Sequence, residues 1–387
     1  MKNKNILFIL LVLCIVLSNN SCRKNQEKTE EVPIISGDLI SVDVNVGMKE
    51  YFKRVGFEDE NISTKLVPLE TNDEFLYAGL LEAFTDSIII FRNFHGKGGN
   101  ILIFGGQGNA LRKLSPGQSG EEYIMALKVV YDDNNKEIFV NDLYSCKIKV
   151  YGLDGEFKRA LPYQGKVEYH EILNFDNESL ICYTHDDIKN PVFLISRQTG
   201  EKLQDIIIPY KKRLTINQIL PNGSIASTTL SLLKTHDGII ISEPSSDTIY
   251  HLSSEGAVLR PILYRTPPIQ TMDIPVFVSP ITFIDSALFV RIIKKEDENV
   301  RTVGFLMCDY KDRGIYQCIR TGLPMTNFGI PPFVIHETKQ NVFLNPISAD
   351  YLTERYKSNK LTGNAKEIAS RLKDDDNEVM AIFTIQK

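Results

Sequence analysis

Short apolar runs recur along the chain, each near a turn that carries Asp, Asn or Gly. Six such runs stand out, at residues 86–91, 136–140, 178–182, 237–241, 285–290 and 339–344. Their first residues are separated by 50, 42, 59, 48 and 54 positions. Short runs that are rich in β-branched residues and bounded by turn residues are typical of β-strands. The chain is therefore predicted to be all-β and built from a repeated unit.

The repeated unit is clearest between residues 126 and 161. Four strands are predicted there, at residues 126–131, 137–140, 147–151 and 156–161. Asp154-Gly155 between two apolar runs is a strong hairpin signal, and Asp237-Gly238 and Glu255-Gly256 repeat it in a later unit. A strand-rich unit every roughly 40–60 residues is the spacing of propeller blades, so six runs predict a six-bladed β-propeller.

The two ends of the chain are predicted to meet in the last blade. Residues 379–385 have the pattern of a terminal strand, and residues 65–69 that of an N-terminal strand. An open last blade would leave unpaired sheet edges, so the N-terminal strand is expected to close it. Helical signal is short and lies near both ends, at residues 50–57 and 365–373.

The N-terminus has the features of a bacterial export signal. Lys2 and Lys4 precede an unbroken apolar run of 12 residues at positions 6–17. At about 1.5 Å per residue the run spans roughly 18 Å, short of a ~30 Å membrane core, which favours a signal peptide over a transmembrane helix. Ser21-Cys22 resembles a lipobox, with Asn19 in place of the usual aliphatic residue. Lipidation is predicted at Cys22, and the alternative is an ordinary cleaved signal with a soluble product.

Three segments follow from these features: a signal peptide at 1–21, a lipid-anchored flexible tether at 22–37 and the propeller at 38–387. The tether is polar and charged and lacks the patterning to build a core. Arg23 and Lys24 follow the cysteine directly, where surface-exported lipoproteins of this kind often carry acids. The predicted location is the cell envelope, on the outer membrane facing the periplasm, with the cell surface as the alternative.

Charge and composition narrow the choice of partner. The net charge is −5, and it becomes −7 once Lys2 and Lys4 leave with the signal. Nucleic-acid binding needs clustered Lys and Arg, so no nucleic-acid partner is expected. The chain has no Trp but 16 Tyr and 20 Phe, which weakens a carbohydrate-stacking site without removing it.

Several short segments resemble a known family. Residues 66–71 (LVPLET) resemble the opening segment of six-bladed β-propeller lipoproteins of Gram-negative bacteria, and residues 117–123 (GQSGEEY) resemble a loop of the same proteins. Residues 138–142, 147–151 and Asp154-Gly155 are similar to an NHL-type blade, and the ending around Glu378 resembles the family's final strand. The resemblance covers residues 38–387. It implies the propeller fold and almost no biochemistry, because propellers serve enzymes and binding proteins alike.

Histidines are the first candidates for a site. His95 and His185 each follow the second strand of a blade, and His170 precedes a first strand, so all three are expected on one face of the propeller, around the channel mouth. His236 and His336 precede second strands and are expected on the opposite face. Glu168, Glu171, Asp186 and Asp187 accompany the first group. Such a cluster could bind a metal or a polar ligand, and the alternative is a set of scattered, solvated loop residues.

The glycine-containing loop at residues 117–123 is a second candidate. Gln118, Glu121, Glu122 and Tyr123 are expected on the same face as His95, where the loop either binds a ligand or simply connects two blades. Asp142 is predicted to be structural, as an acceptor of backbone hydrogen bonds. The glycines at 96–99 and 105–108 match no phosphate-binding spacing and lead into no helix.

Four cysteines remain after Cys22. Cys308 and Cys318 flank a predicted hairpin turn and could lie opposite each other as a disulfide, although free buried thiols are favoured because a large core needs no covalent link. Cys146 has no base nearby in sequence, and no Gly-x-Ser-x-Gly motif is present.

These features favour a binding protein over an enzyme. The predicted function is a lipid-anchored envelope propeller that serves as a platform for an envelope protein, a small molecule or a glycan, with no cofactor predicted. The alternative is a metal-dependent propeller hydrolase or lyase with its site at the channel mouth, for which several ionisable groups must converge.

Overall fold

The computed structural model describes residues 39–46, 51–54, 62–77, 79–93, 99–165, 167–186, 189–219, 225–227, 231–284, 286–296, 299–318 and 342–385. Within those ranges the strands form six small sheets of a six-bladed β-propeller and one two-stranded hairpin. The predicted fold class is thereby confirmed. The predicted signal peptide, Cys22 and the tether lie outside the described residues, as do His95, Asp187 and His336.

Three strands come first in the chain and belong to three different sheets. They are β1 (Ile40–Asp43), β2 (Phe52–Arg54) and β3 (Ile62–Pro68). The first three blades, I to III, then follow as four-stranded antiparallel sheets. Blade I contains β4 (Gly79–Phe84), β5 (Ile88–Asn93), β6 (Ile101–Gly105) and β7 (Ala110–Leu114). Blade II contains β8 (Ala126–Asp132), β9 (Glu137–Asp142), β10 (Lys147–Gly152) and β11 (Phe157–Pro162). Blade III contains β12 (Glu171–Asn174), β13 (Ser179–Tyr183), β14 (Val192–Ser196) and β15 (Lys202–Ile206).

Blades IV and V are each extended by one strand from the N-terminal segment. A hairpin of β16 (Asn217–Ile219) and β17 (Ile225–Ser227) precedes them. Blade IV contains β18 (Leu232–Lys234), β19 (Gly238–Ile241), β20 (Thr248–Ser253) and β21 (Leu259–Thr266). Blade V contains β22 (Val276–Ile284), β23 (Ala287–Glu296), β24 (Asn299–Asp309) and β25 (Gly314–Cys318). β1 pairs in parallel with β21, and β2 pairs in parallel with β25, so both cover an outer sheet edge.

Blade VI joins the two ends of the chain, as predicted. Its described strands are β26 (Val342–Ile347), β27 (Val379–Ile385) and the N-terminal β3, in that spatial order. β3 runs antiparallel to β27, with Val67 opposite Met380 and Leu66 opposite Ala381. The N-terminal strand therefore supplies the backbone partner that the last strand of the chain needs.

Two short helices lie between β26 and β27. They are α1 (Ala349–Lys357) and α2 (Gly363–Ala369), and α2 confirms the helix predicted around residues 365–373. The helix predicted at residues 50–57 is wrong over its described part, because Phe52–Arg54 is strand β2. Pairing with the free edge of blade V outweighs the weak local preference of this segment for helix. In the described ranges no helix is long and apolar enough to cross a bilayer.

The core consists of apolar layers between neighbouring blades. In β5, Ile88 and Ile90 pack with residues of blade II, whereas Ile89 and Phe91 pack with residues of blade VI. A strand that is buried on both faces needs apolar side chains at every position, and alternation between apolar and polar residues disappears. This explains why second strands appear in the sequence as unbroken apolar runs.

Candidate functional site

The two faces of the propeller carry different loops. We call the mouth face the one that carries the loops after second strands, such as residues 184–186, and before first strands, such as residues 167–170. The base face carries the turns between first and second strands, such as residues 133–136 and 235–237. Because successive strands of a blade are antiparallel, these two groups of connections lie at opposite ends of the strands.

His170 and His185 meet on the mouth face of blade III. Their ring centroids lie 4.6 Å apart in an edge-to-face arrangement. The His185 amide donates to His170 Nδ1 at 3.1 Å, and the same nitrogen lies 3.1 Å from the Glu168 carbonyl oxygen. Burial, with His170 and Arg213 nearby, lowers the pKa of His185 to about 4. His185 is therefore neutral at pH 7.

A buried polar network supports the two imidazoles. The Tyr183 ring lies 5.1 Å from that of His185, and its hydroxyl donates to Glu243 Oε2 at 2.9 Å. Glu243 comes from blade IV, where Ser245 donates to its other oxygen at 2.6 Å. Arg213 donates to the Thr184 carbonyl at 2.7 Å and lies over the Tyr183 ring. We call His170, Tyr183, His185, Arg213 and Glu243 the histidine cluster.

Glu171 connects the inner strands of blades III and IV. Its two carboxylate oxygens accept the amides of Ser231 and Leu232, each at 2.9 Å. Burial raises the pKa of Glu171 to about 7, although these two hydrogen bonds and Lys128 favour its charged form. The carboxyl thus titrates close to neutrality beside the histidine cluster.

A second buried carboxylate lies further round the inner strands. Glu82 on β4 is bonded by Arg92 at 2.6 Å and by Lys128 of blade II at 2.7 Å. Burial alone would raise the pKa of Glu82, but the two cations outweigh it and hold that pKa below its usual value. This ion pair joins blades I and II and is already satisfied by protein groups.

Two aspartates near the ends of second strands accept hydrogen bonds from backbone amides in the segments that lead into first strands. Asp142 accepts the amides of Ile124 and Met125 at 3.0 and 2.9 Å, so its predicted structural role is confirmed. Asp186 accepts the amide of Glu168 at 2.8 Å in blade III. The same device thus occurs in two blades, and the Asp186 carboxylate has a structural partner.

The loop at residues 117–123 is tied to blades I and II. Tyr123 is buried, and its hydroxyl lies 2.8 Å from the carbonyl oxygens of both Gly99 and Leu114. Glu122 accepts the Ser119 amide at 3.0 Å, and this hydrogen bond lowers its pKa. Gln118 and Glu121 are exposed. Tyr123 and Glu122 anchor the loop, which leaves Gln118 and Glu121 as its exposed candidates for contact with a ligand.

The described residues contain no group of three or more His, Cys, Asp or Glu side chains placed to hold a metal ion. Cys308 lies opposite Ile315 rather than opposite Cys318, so the two cysteines are not cross-strand partners. Cys146, Cys182, Cys308 and Cys318, the cysteines of the described ranges, form no disulfide with one another. The expectation that Cys308 and Cys318 could face each other is therefore wrong, because the register of β24 and β25 is offset.

Sequence reasoning brought His170 and His185 to one face but missed the rest of the cluster. Tyr183 looked like an ordinary strand residue, and Arg213 lies in a connection between blades III and IV. Glu243 follows β19 and reaches Tyr183 only because the two blades are neighbours. The one sequence signal for Glu243 as a site residue was its position just after a second strand, which is similar to that of Asp142 at the end of β9.

Comparison with solved structures found similar proteins from Bacteroides. A protein of Bacteroides fragilis NCTC 9343 named "Putative exported protein" has 14% identity, with 90% of this chain and 100% of that chain covered and a TM-score of 0.60. A member of the DUF4221 family from Bacteroides vulgatus ATCC 8482 has 10% identity, with 67% and 86% covered and a TM-score of 0.38. No curated protein matches the chain significantly.

A family model covers almost the whole propeller. It matches residues 39–384, which include every described blade. The chain belongs to the DUF4934 family, a domain of unknown function.

Proposed function

We propose that the protein is a lipid-anchored binding protein of the cell envelope that takes up a hydroxyl-rich ligand, a glycan, at the histidine cluster. The ligand contacts His170 and His185 at the surface of the cluster, with the Glu168 carboxylate beside them. Tyr183, Arg213 and Glu243 hold these groups from below. Cys22 carries the lipid, and the tether of residues 22–37 links it to the propeller.

The observation that carries this proposal is the rigid pair of imidazoles with His185 neutral at pH 7. A neutral imidazole offers one donor and one acceptor, which is the pattern that a sugar hydroxyl needs. Glu168 is exposed and adds carboxylate acceptors 3.8 Å from His170 Nε2. Arg213 is already engaged by Thr184 and Glu243, so the cluster offers little free positive charge for an anionic ligand.

The envelope location is supported by the N-terminal sequence and by one structural relative. Residues 1–22 combine a basic start, an apolar run of signal-peptide length and a cysteine after a small residue. The relative from Bacteroides fragilis carries the word "exported" in its name. NHL-like blades are also part of the proposal, which is supported by strands β9 and β10 at residues 138–142 and 147–151 and by the position of Asp154-Gly155 between β10 and β11.

A glycan array tests the ligand class. The mature domain, beginning at residue 39, is compared with a His170→Ala/His185→Ala double variant and with His236→Ala, which removes an imidazole from the base face. We expect the mature domain and His236→Ala to bind the same glycans and the double variant to lose at least about tenfold in affinity, or about 1.4 kcal/mol. Equal binding by all three proteins would show that the histidine cluster is not the glycan-binding site.

A metal-dependent hydrolase is the alternative, and it depends on convergence of ligands at the mouth. The His185 backbone amide occupies Nδ1 of His170, and the Asp186 carboxylate is bonded to the Glu168 amide. These contacts favour recognition over metal binding. The metal content of the mature domain separates the two functions.

A further inference from the structure

A cavity of about 220 Å³ lies between blades IV and V at the base face, away from the histidine cluster. A volume of this size suits one small molecule. Small-molecule sites combine apolar walls with a few placed polar groups, and this cavity has both.

The apolar walls come from both blades. Phe283 and Tyr310 of blade V have ring centroids 6.0 Å apart. Opposite them, a bulge in β21 leaves Ile262 without a partner on β20, since Ile249 pairs with Leu263 and Tyr250 with Pro261. The Tyr310 hydroxyl donates to the Ile262 carbonyl at 2.9 Å and so fixes the blade V wall against the bulge. Bulges of this kind redirect a side chain and are common at functional sites.

The polar rim comes from blade IV alone. His251 and Arg260 are directly opposite each other on β20 and β21, so their side chains are neighbours. His251 Nε2 lies 3.1 Å from Asp237 Oδ1, and the Thr235 hydroxyl donates to the same oxygen at 2.9 Å. Burial lowers the pKa of His251, with Arg260 and His236 acting in the same direction and Asp237 against it.

The rim therefore carries one charge of each sign with an imidazole beside both. Asp237 is an exposed carboxylate whose pKa is lowered: burial acts to raise it, but His251, Thr235 and His236 outweigh that effect. Arg260 is exposed and lines the same cavity. A ligand that carries one group of each sign can contact both side chains, whereas a ligand with a single charge can pair with only one of them.

We infer that this cavity binds a free amino acid with a hydrophobic side chain. The ammonium group pairs with Asp237, the carboxylate pairs with Arg260, and the side chain lies between Ile262 and the rings of Phe283 and Tyr310. This site is independent of the glycan site proposed on the mouth face, because it uses other residues and the opposite face.

Isothermal titration calorimetry with L-phenylalanine tests the inference. Phenethylamine lacks the carboxylate and 3-phenylpropanoate lacks the ammonium, so each is expected to bind at least about tenfold more weakly. Arg260→Gln and Asp237→Asn are each expected to weaken L-phenylalanine binding by a similar factor. Asp133→Asn, in the corresponding turn of blade II, is the matched control and leaves binding unchanged.

Three results would overturn the inference. They are the absence of saturable binding of L-phenylalanine up to about 10 mM, beyond the range of weak ligands, equal affinities for the three compounds, and unchanged affinity in Arg260→Gln. Arg260 is exposed, so its replacement leaves folding intact and decides the case even if Asp237→Asn disturbs the turn that Thr235 and Asp237 stabilise. Circular dichroism of each variant establishes that it is folded.

Discussion

At the scale of single residues, burial acts in opposite directions on the two titratable groups at the mouth. An imidazolium is destabilised when it loses water, and so is a carboxylate. The pKa of His185 therefore falls to about 4, whereas that of Glu171 rises to about 7. Both groups are uncharged in much of the range between these values. His185 and Glu171 thus contribute little charge to the mouth of blade III at mildly acidic pH.

His185 is expected to make folding stability depend on pH between about 6.5 and 4. The unfolded chain binds a proton at His185 below about pH 6.5, whereas the folded protein does so only near pH 4, so acid favours unfolding in this window. Removing the imidazole in His185→Gln removes this penalty. Relative to pH 7.5, the variant should gain about 1–2 kcal/mol over the wild type at pH 5, measured by urea unfolding.

The control for this prediction is His236→Gln, which removes an exposed imidazole from the base face. A difference between His185→Gln and the wild type that stays constant from pH 7.5 to pH 5 would show that His185 is not buried as described.

Glu171 is expected to lower the folding stability as pH rises, which is opposite to the effect of His185. Its folded pKa of about 7 lies above that of an unfolded glutamate, so the stability it contributes is present at low pH and is lost as pH rises towards and through 7. Glu171→Gln, which stays neutral, should therefore gain about 2 kcal/mol on the wild type between pH 5 and pH 8. Urea unfolding at both pH values measures the gain. A Glu171→Gln variant whose stability relative to the wild type is lower at pH 8 than at pH 5 would contradict the prediction.

Residue-scale features were only partly predictable from the sequence. The positions of His170 and His185 relative to strands β12 and β13 placed them on one face, because strand ends alternate between the faces. The partnership of Tyr183 with Glu243 was not predictable, because the two residues lie 60 positions apart. Nothing in the local sequence around Thr235, Asp237 and Arg260 signalled a cavity, since its far wall comes from blade V.

At the scale of elements, the N-terminal segment has two separate tasks. β3 completes blade VI by pairing with β27, which closes the ring. β1 and β2 add parallel strands to the outer edges of blades IV and V, and Ile40 and Val42 of β1 are buried there. Covered edges are protected against pairing with other chains. Closure should therefore matter for folding, and the two added strands for stability and solubility.

Shortened chains separate these tasks. A chain that begins at residue 55 keeps β3 but lacks β1 and β2, and it should fold with a loss of about 3–5 kcal/mol from the two buried side chains of β1. A chain that begins at residue 72 also lacks β3, and it should show no cooperative unfolding transition. Calorimetry of both, with a chain that begins at residue 39 as the control, measures the difference. Similar stability of the two shorter chains would contradict closure by β3.

Strands were more predictable than helices because turn residues mark their ends. The Asp154-Gly155 turn joins β10 to β11 as predicted, and the terminal strand 379–385 has the predicted bounds. The expectation for residues 50–57 failed because a strand of three residues that pairs in parallel with a distant edge has almost no local pattern. α1 was missed for a related reason, since its burial against blade VI stabilises a segment of weak apolar periodicity.

At the scale of the whole molecule, the spacing of apolar runs was enough to predict the ring. Five of the runs became the second strands of blades I to V, the sixth overlaps β26 of blade VI, and the number of blades follows from the number of runs. The side chains that meet on each face were not predictable in the same way, because both proposed sites combine residues of neighbouring blades. A propeller of this kind can carry independent sites, one at the mouth and one at the base.

The proposed lipid anchor concerns the whole molecule and is tested in cells. Cys22→Ser removes the acceptor for the lipid and should move the protein from the detergent-extracted membrane fraction to the soluble envelope fraction. Cys14→Ser, inside the apolar run, is the matched control and should leave the protein in the membrane fraction. Release by Cys14→Ser, or retention of Cys22→Ser, would contradict lipidation at Cys22.

The central claim is that the histidine cluster recognises a ligand by hydrogen bonding and is not a metal centre. Metal content of the mature domain, measured by inductively coupled plasma mass spectrometry beside His185→Ala, tests it most directly. We expect far less than one equivalent of zinc, calcium or iron in both proteins. Near-stoichiometric metal in the wild type that falls in His185→Ala would contradict the claim and favour the metal-dependent hydrolase.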